Sequence, residues 1–350
     1  MAIAVPRALV LRALGLGDLL TAVPALRALR HGLPGHHITL ATSESLAPLA
    51  LLTGAVDEVW TARGLAPLRF PYDVDVAVNL HGSGPQSHRL LQALQPRELL
   101  AFAHPECPDG PRWDPGEHEV ERWCRLLAHH GFRPDPDDLD LAVPRAGSPA
   151  PGAVLVHPGA AYPARRWPPE RYAAVAAALR YAGHEVIVTG GPDETALARR
   201  VVSLAGLGPV CDRSGRTDLL ELAALVAAAR LVVCGDTGVG HLATACGTPS
   251  ILLFGPTSPA LWGPPPRRSQ HVVVTGGEHD GDPHGMTPDP GLLAIESDQV
   301  VAAALHRITT RSKPCTLSAP LSPEAPASSA HTCARPSWPA ASPSSASTTC

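Results

Sequence analysis

The segment 231–257 combines residue types that could bind an anion. An apolar run, Leu231–Val233, predicts a buried parallel strand, and Asp236-Thr237-Gly238 ends that strand in a turn. The residues from Val239 to Ala245 favour a helix. A helix that begins where a strand ends points unpaired N–H groups at the crevice above the sheet, and these groups attract anions. The segment therefore predicts a phosphate-binding loop.

The polar side chains of this loop add to its chemistry. Thr237 supplies a hydroxyl, Gly238 removes side-chain bulk, and His241 would place an imidazole in the first helical turn. A carboxylate at Asp236 repels a phosphate unless it faces sugar hydroxyls or N–H groups of the loop. An alternative stays open, in which Asp236 only caps the helix and His241 packs in the core.

Two further strand ends carry charges that suit a nucleotide. Arg165 and Arg166 follow a predicted strand that ends at His157, and guanidinium groups form paired hydrogen bonds with phosphate oxygens. Glu194 follows the next predicted strand, Glu185–Thr189, and offers a carboxylate to a ribose or sugar hydroxyl. A helix cap is the alternative interpretation of this carboxylate.

The first strand of the chain ends at Gly15-Leu16-Gly17-Asp18. A dinucleotide motif would have a third glycine where this chain has Leu20, so the signal for a nicotinamide cofactor is weak. Asp18, at a predicted helix start, could take a proton from an incoming hydroxyl, although a helix N-cap is the alternative.

Two other polar loops carry side chains that could do chemistry. His81 and Ser83 lie at the polar end of a predicted strand and could hold an acceptor; no Gly-x-Ser-x-Gly elbow indicates nucleophilic hydrolysis. Four possible metal ligands lie among glycines and prolines without helical spacing, which favours a solvated loop, and no metal site is predicted. They are His279, Asp280, Asp282 and His284.

Composition limits the class of protein. The 350 residues, 45% hydrophobic, are enough for two domains, and a net charge of -4 gives no reason to expect a nucleic-acid partner. No run of about 18 apolar residues predicts a membrane span, and the N-terminal apolar residues merge into the first strand, which argues against a signal peptide. The scattered cysteines fit a reducing compartment, so we expect a cytoplasmic protein.

Strands and helices alternate along most of the chain. This alternation predicts an α/β fold with two Rossmann-like, doubly wound parallel-sheet domains that face a cleft. The Pro- and Asp-rich stretch 133–151 is typical of an interdomain connection. The domains are expected at 1–145 and 152–311, and the Ser-, Pro- and Ala-rich tail 312–350 is expected to be disordered.

Three segments together resemble glycosyltransferase family 9, the ADP-heptose:lipopolysaccharide heptosyltransferase group. They are GLGDLLTAVPALRAL at 15–29, HPGAAYPARRWPPERYAAVA at 157–176 and SGRTDLLELAALVAAARLVVCGDTGVGHLATACGTPSILLFGPT at 214–257. The resemblance extends over about residues 7–308, and the Asp-Thr-Gly-x-x-His pattern is its most specific part. It implies a GT-B fold with the acceptor on the first domain and the nucleotide sugar on the second.

The resemblance also implies roles for individual residues. Asp18 matches the proposed catalytic base of the family, and Arg165 stands where the family usually has a lysine. The donor-binding set is then Arg165, Arg166, Glu194, Asp236, Thr237, Gly238 and His241. The acceptor-binding set is Gly17, His81 and Ser83.

The implied activity is inverting transfer of a heptose-like sugar from an ADP-linked donor to a hydroxyl of an envelope glycan or glycolipid. No cofactor or metal is expected, and contact with the inner face of the cell membrane would be peripheral. Two alternatives stay open: a nucleotide-sugar epimerase of the same architecture, and an inactive sugar-nucleotide binding protein. An oxidoreductase is disfavoured by the missing third glycine. Oligomeric state is left open.

Overall fold

The computed structural model describes residues 5–278 and 281–310. The expectations for His279, Asp280 and the tail 312–350 lie outside the described residues. The strands of the described chain form two five-stranded sheets in which every neighbouring pair is parallel. The predicted fold class, two doubly wound parallel sheets, is confirmed.

The first sheet has the strand order β3-β2-β1-β4-β5. Its strands are β1 (Arg7–Leu11), β2 (His37–Thr42), β3 (Glu58–Thr61), β4 (Val76–Asn79) and β5 (Glu98–Leu100). The second sheet has the order β10-β9-β8-β6-β7. Its strands are β6 (Val154–His157), β7 (Val186–Val188), β8 (Leu231–Gly235), β9 (Ser250–Phe254) and β10 (His271–Thr275).

Helices connect the strands and pack against the sheets. They are α1 (Leu16–Thr21), α2 (Val23–Gly32), α3 (Ala47–Leu52), α4 (Gln86–Gln92), α5 (Glu119–His129), α6 (Pro169–Tyr181), α7 (Thr195–Leu204), α8 (Leu219–Ala228), α9 (Gly238–Ala245), α10 (Pro259–Trp262), α11 (Pro290–Leu293) and α12 (Ser297–Thr309). Short 3-10 turns lie at Glu44–Leu46, Pro163–Arg165, Pro192–Glu194 and Pro209–Cys211. No helix in the described ranges is long and apolar enough to cross a membrane.

The structure differs from the sequence expectation in a few elements. The residues from Leu19 to Arg30 have helical spacing, and Pro24 predicts a kink within that helix. The structure instead divides the segment into α1 and α2 at Ala22, two residues before Pro24, which has no N–H to donate. Strand β10 and the four-residue helices α10 and α11 lie outside the predicted set. β10 is only partly buried at the sheet edge, and the short helices sit in proline-rich segments without a periodic pattern.

The sheets are positioned by one shared core. β1 and β8 are central strands, and the buried residues Val10 and Val232 belong to the same apolar cluster. The cluster is continuous because α1 packs against α9 and α3 against α8. Removing a large apolar side chain from water contributes about 1.5–3 kcal/mol. The carboxyl ends of both central strands are therefore held in a fixed relation, and the loops after them face each other.

His271 gives a test of this packing through pH. The side chain is buried, its Nδ1 lies 2.8 Å from the Ser250 hydroxyl, and burial, with Arg268 and Arg307 adding to it, lowers its pKa from 6.5 to about 4. The unfolded chain therefore takes up the proton first as the pH falls. The stabilisation is complete above pH 6.5 and is lost between pH 6.5 and about pH 4.

We expect that between pH 7 and pH 5 the wild type loses about 2 kcal/mol more unfolding free energy than His271→Gln. Urea denaturation of both proteins at the two pH values measures this difference, and other titrating groups cancel in the comparison. An equal loss in both proteins would show that the pKa of His271 is not lowered.

Candidate functional site

A cavity of about 440 Å³ lies between the loops at the carboxyl ends of the two sheets. Most of the predicted site residues line it: Gly17, Asp18, Arg165, Glu194, Asp236, Thr237, Gly238 and His241. Arg166, His81 and Ser83 are not part of its lining. The cavity thus brings a carboxylate from the first half of the chain to the predicted anion loop of the second half.

The two halves meet through glycines at the first turns of α1 and α9. A Cβ atom on Gly17 would lie 2.7 Å from Cδ2 of His241, and one on Gly238 would lie 2.7 Å from Cβ of Leu16. Neither contact tolerates a side chain without displacing the neighbour. The glycines therefore allow α1 and α9 to approach end to end, with Asp18 beside the start of α9.

The start of α9 has the features of an anion site. Thr237 is the N-cap residue in extended conformation, and its hydroxyl makes no capping hydrogen bond. The first N–H groups of a helix have no partner within the helix, and the helix dipole adds partial positive charge there. Thr237 and Gly238 line the cavity, so a ligand there would lie beside these groups. These features agree with the predicted phosphate-binding loop, which stays a prediction.

Asp236 and Arg165 form an incomplete ion pair at the edge of this loop. Arg165 Nη1 lies 3.6 Å from Asp236 Oδ2, and Arg165 Nε and Asp236 Oδ2 have no hydrogen-bond partner within residues 5–278 and 281–310. Asp236 is buried, and Thr237, not Asp236, caps α9. Buried polar atoms are nearly always hydrogen-bonded in folded proteins. A ligand with both a negative charge and hydroxyl groups would pair its charge with Arg165 and donate a hydroxyl hydrogen bond to Asp236 Oδ2.

His241 contributes a neutral imidazole. Burial lowers its pKa, although the nearby carboxylates of Asp236 and Asp18 act in the opposite direction. The ring packs edge-on against Trp262, with 6.0 Å between the ring centroids. A neutral imidazole donates one hydrogen bond without adding charge to the cavity.

The opposite end of the cavity is formed by His157 and Glu194. Glu194 Oε2 accepts a hydrogen bond of 2.8 Å from the Gly191 N–H and lies 3.7 Å from His157 Nε2, while Nδ1 of this histidine lies 3.0 Å from the Thr189 hydroxyl. Burial lowers the pKa of His157, with Glu194 opposing the shift. Glu194 therefore caps the turn at Gly191 through its side chain and also lines the cavity, so the two interpretations of this carboxylate are compatible.

Asp18 likewise combines a cap with a position in the cavity. Its Oδ2 accepts a hydrogen bond of 3.1 Å from the Gly15 N–H, and its Oδ1 lies 3.5 Å from Arg12 Nη2. The side chain is 27% exposed. The carboxylate is oriented by the hydrogen bond from Gly15 and the ion pair with Arg12, while part of it remains accessible from the cavity.

Arg12 is a positioning residue that the sequence analysis did not single out. It is 1% exposed, and its guanidinium donates to the main-chain carbonyls of Asp18 and Leu80. Nη2 lies 3.1 Å from Glu119 Oε1, and the guanidinium stacks 4.6 Å from the ring of Trp123. The signal available in the sequence was an arginine that directly follows an apolar strand. Arg12 ties the loop after β1 to the loop after β4 and to α5.

The three predicted residues outside the lining have partners or positions of their own. Arg166 Nε donates to the Ala160 carbonyl at 2.8 Å, which directs its guanidinium along its own loop. His81 Nδ1 accepts from the Ala13 N–H at 3.2 Å, and burial together with the charge of Arg12 lowers its pKa. Ser83 is half-buried in the same loop.

Of the four possible metal ligands in the loop 279–284, only Asp282 and His284 belong to the described residues. His284 lines the cavity and packs edge-on against Tyr162, with 4.7 Å between the ring centroids, and Asp282 accepts a hydrogen bond from the His284 N–H. In the described part of the chain, no group of three or more His, Cys, Asp or Glu side chains is placed to hold a metal ion.

The two facing parallel sheets, with an anion loop and a carboxylate in the cavity between them, define a GT-B-type α/β protein. The solved structure of the E. coli ADP-heptose lipopolysaccharide heptosyltransferase II has the same fold, with a TM-score of 0.69 and 20% identity, over 87% of this chain and 98% of that one.

The family model for glycosyltransferase family 9 (heptosyltransferase) matches residues 111–282. Lipopolysaccharide heptosyltransferase 1 of Salmonella typhimurium is 26% identical over 296 residues, which cover 73% of this chain and 90% of the relative. Lipopolysaccharide heptosyltransferase 3 of E. coli is 34% identical over 113 residues, 32% of this chain, and the match spans 33% of that relative's length. These matches confirm the similarity to glycosyltransferase family 9 that the motifs indicated.

The Arg12 cluster can be tested through stability. We expect Arg12→Lys to lower the unfolding free energy by about 1–3 kcal/mol, because one ammonium group cannot make all the hydrogen bonds that the planar guanidinium makes. Urea denaturation measures the change. The matched control is Arg97→Lys, whose side chain is 85% exposed and pairs with Asp75, and there we expect a change below about 0.5 kcal/mol. Equal effects of the two substitutions would contradict the structural role of Arg12.

Proposed function

We propose that this chain is an inverting glycosyltransferase that moves a heptose-like sugar from a nucleoside-diphosphate sugar to a hydroxyl of an envelope glycan or glycolipid. The observation that carries the proposal is the cavity in which Asp18 of the first half faces Arg165 and the start of α9 in the second half. The similarity to glycosyltransferase family 9 supports the reaction class, and the ADP-heptose named for the E. coli structure supports an ADP-linked donor.

In this proposal the second half, 152–311, is the donor domain. The diphosphate lies at the start of α9, where Thr237, Gly238 and the helix N–H groups face the cavity, with Arg165 as the cation. Glu194, at the end of the cavity beside His157, accepts hydroxyl groups of the nucleoside ribose. Asp236 accepts a hydroxyl of the transferred sugar, because its unpartnered Oδ2 would repel a phosphate.

The chemical step follows from the position of Asp18. Its carboxylate takes the proton of an acceptor hydroxyl while the oxygen attacks the anomeric carbon of the donor. The bond between that carbon and the phosphate oxygen breaks in the same displacement, and the nucleoside diphosphate leaves with the bonding electrons. Attack from the face opposite the leaving group inverts the configuration. Arg12 and the Gly15 N–H hold the carboxylate in place for this transfer.

The growing charge on the leaving diphosphate needs fixed partners. Arg165, the helix N–H groups and the neutral His241 are oriented before the reaction begins, so no reorganisation is required when the bond breaks. This arrangement explains how the protein's own groups can stabilise the leaving group.

The first half, 1–145, is the acceptor domain in this proposal. Gly17, His81 and Ser83 lie in the loops that follow β1 and β4, on the side from which an acceptor would reach Asp18. The proposed partners are the nucleotide sugar and a glycan or glycolipid, without nucleic acid. Such an acceptor would place the protein at the cytoplasmic face of the membrane through peripheral contact.

Asp18→Asn tests the base. Asparagine preserves an oxygen for the Gly15 N–H but cannot take a proton, so we expect transfer from ADP-heptose to a lipopolysaccharide-core acceptor to fall by about 100-fold or more. The affinity for ADP, measured by calorimetry, should change by less than about twofold. Transfer within about tenfold of the wild type would refute the assignment.

The same assay separates the alternatives. An epimerase would convert ADP-heptose to an isomer in the absence of acceptor and would release no ADP. An inactive binding protein would bind ADP-heptose and transfer nothing to any acceptor, with or without Asp18.

A pair of arginine substitutions tests the donor site. We expect Arg165→Gln to weaken ADP binding by about tenfold or more, because a charge-assisted hydrogen bond to phosphate is lost. Arg166→Gln should have the smaller effect, since its guanidinium donates to the Ala160 carbonyl. Arg180→Gln, an exposed change on α6, serves as the control. Undiminished ADP affinity in Arg165→Gln would remove Arg165 from the donor site.

A further inference from the structure

The cavity follows the strand order of the second sheet. Its wall includes Glu194 after β7, His157 at the end of β6, Asp236 and Thr237 after β8, and Thr257 with Trp262 after β9. Neighbouring strands in this sheet run in the order β9, β8, β6, β7. The anion loop after β8 therefore lies in the middle, with one group of lining residues on each side.

The position of the proposed base distinguishes the two sides. His241 packs against Trp262. The ring of His241 also lies next to Gly17, which directly precedes Asp18 in the chain. Glu194 instead lies beside His157, after β7. The anomeric carbon must lie near the base that activates its attacker. The transferred sugar therefore occupies the side of Thr257 and Trp262, and the nucleoside occupies the side of Glu194.

We infer that Thr257 and Trp262, both between β9 and the end of α10, bind the transferred sugar and set the specificity for it. This inference rests on the proposed function and deepens it. No role was assigned to either residue from its sequence motif, and neither one is part of the proposed proton transfer or of the diphosphate site.

The chemistry of the two side chains suits a sugar. Thr257 Oγ1 is shielded from solvent and has no hydrogen-bond partner within the described residues, and a buried hydroxyl in this state carries a free-energy cost that a ligand hydroxyl would offset. Trp262 presents a large apolar ring with one N–H donor. Pockets commonly combine such an apolar wall with a few polar groups that fix the ligand's orientation.

The position of Trp262 is fixed by its surroundings. Helix α10 is capped by the Ser258 hydroxyl, which accepts from the Ala260 N–H at 3.2 Å. On the first-half side, His118 Nε2 lies 2.9 Å from the carbonyl of Gly263, the residue after Trp262. The indole is therefore held between the two halves of the chain, where a sugar passes from donor to acceptor.

The experiment compares the binding of ADP with that of ADP-heptose to the full chain by calorimetry. Thr257→Val keeps the shape and removes the hydroxyl, and Trp262→Ala removes the ring. We expect each to weaken ADP-heptose binding by about tenfold, the loss that one hydrogen bond or one stacked ring represents, and to leave ADP binding within about twofold. Thr257→Ser should recover most of the lost affinity.

The control is Leu261→Ala, on the same helix but outside the cavity lining, for which neither affinity should change. If ADP and ADP-heptose weaken together in the Thr257 and Trp262 variants, these residues do not act on the sugar and the inference is wrong. Unchanged binding of both ligands has the same meaning. Failure of the wild type to bind either ligand would overturn the proposed function itself, and the inference with it.

Discussion

The close contact between the first turns of α1 and α9 is the constraint on which the site depends. Both turns carry partial positive charge from unpaired N–H groups, so bringing them together is unfavourable unless negative charge lies nearby. Asp18 and Asp236, one from each half, supply this negative charge. Gly17 and Gly238 permit the approach because neither has a Cβ. A side chain at either position would separate Asp18 from the start of α9.

The buried Arg12 guanidinium makes this contact rigid. It links the loop that carries Asp18 to the carbonyl of Leu80 and to Glu119 on α5. Removing a guanidinium from water is costly, and the cost is offset only when most of its donors are used. The cluster therefore keeps one geometry. It also fixes Asp18, because Arg12 contacts both the main-chain carbonyl and the carboxylate of that residue.

Local patterns account for what could be predicted from the sequence. The apolar run after Pro249 predicts a strand over Ser250–Phe254, and the structure has β9 with these bounds. The anion loop is predicted from a strand, glycine and helix pattern. The pairing of Arg12 with Glu119 could not be predicted, because 107 residues separate them and neither belongs to a motif. The sequence predicts one role for the adjacent Arg165 and Arg166, because it does not show that neighbouring side chains turn in different directions.

The charge of the cavity narrows the ligand that the site can accept. Among the described residues, its lining carries one guanidinium, that of Arg165, and three carboxylates, those of Asp18, Glu194 and Asp236. The burial that lowers the pKa of His157 and His241 keeps these two imidazoles neutral. A small anion without hydroxyl groups would meet mostly repulsion there. A ligand with a central diphosphate and hydroxyl groups on both sides would place its charge at Arg165 and α9 and offer donors to the carboxylates. The same excess of carboxylates that argues against a simple phosphate site thus argues for a nucleotide sugar and a hydroxyl-bearing acceptor.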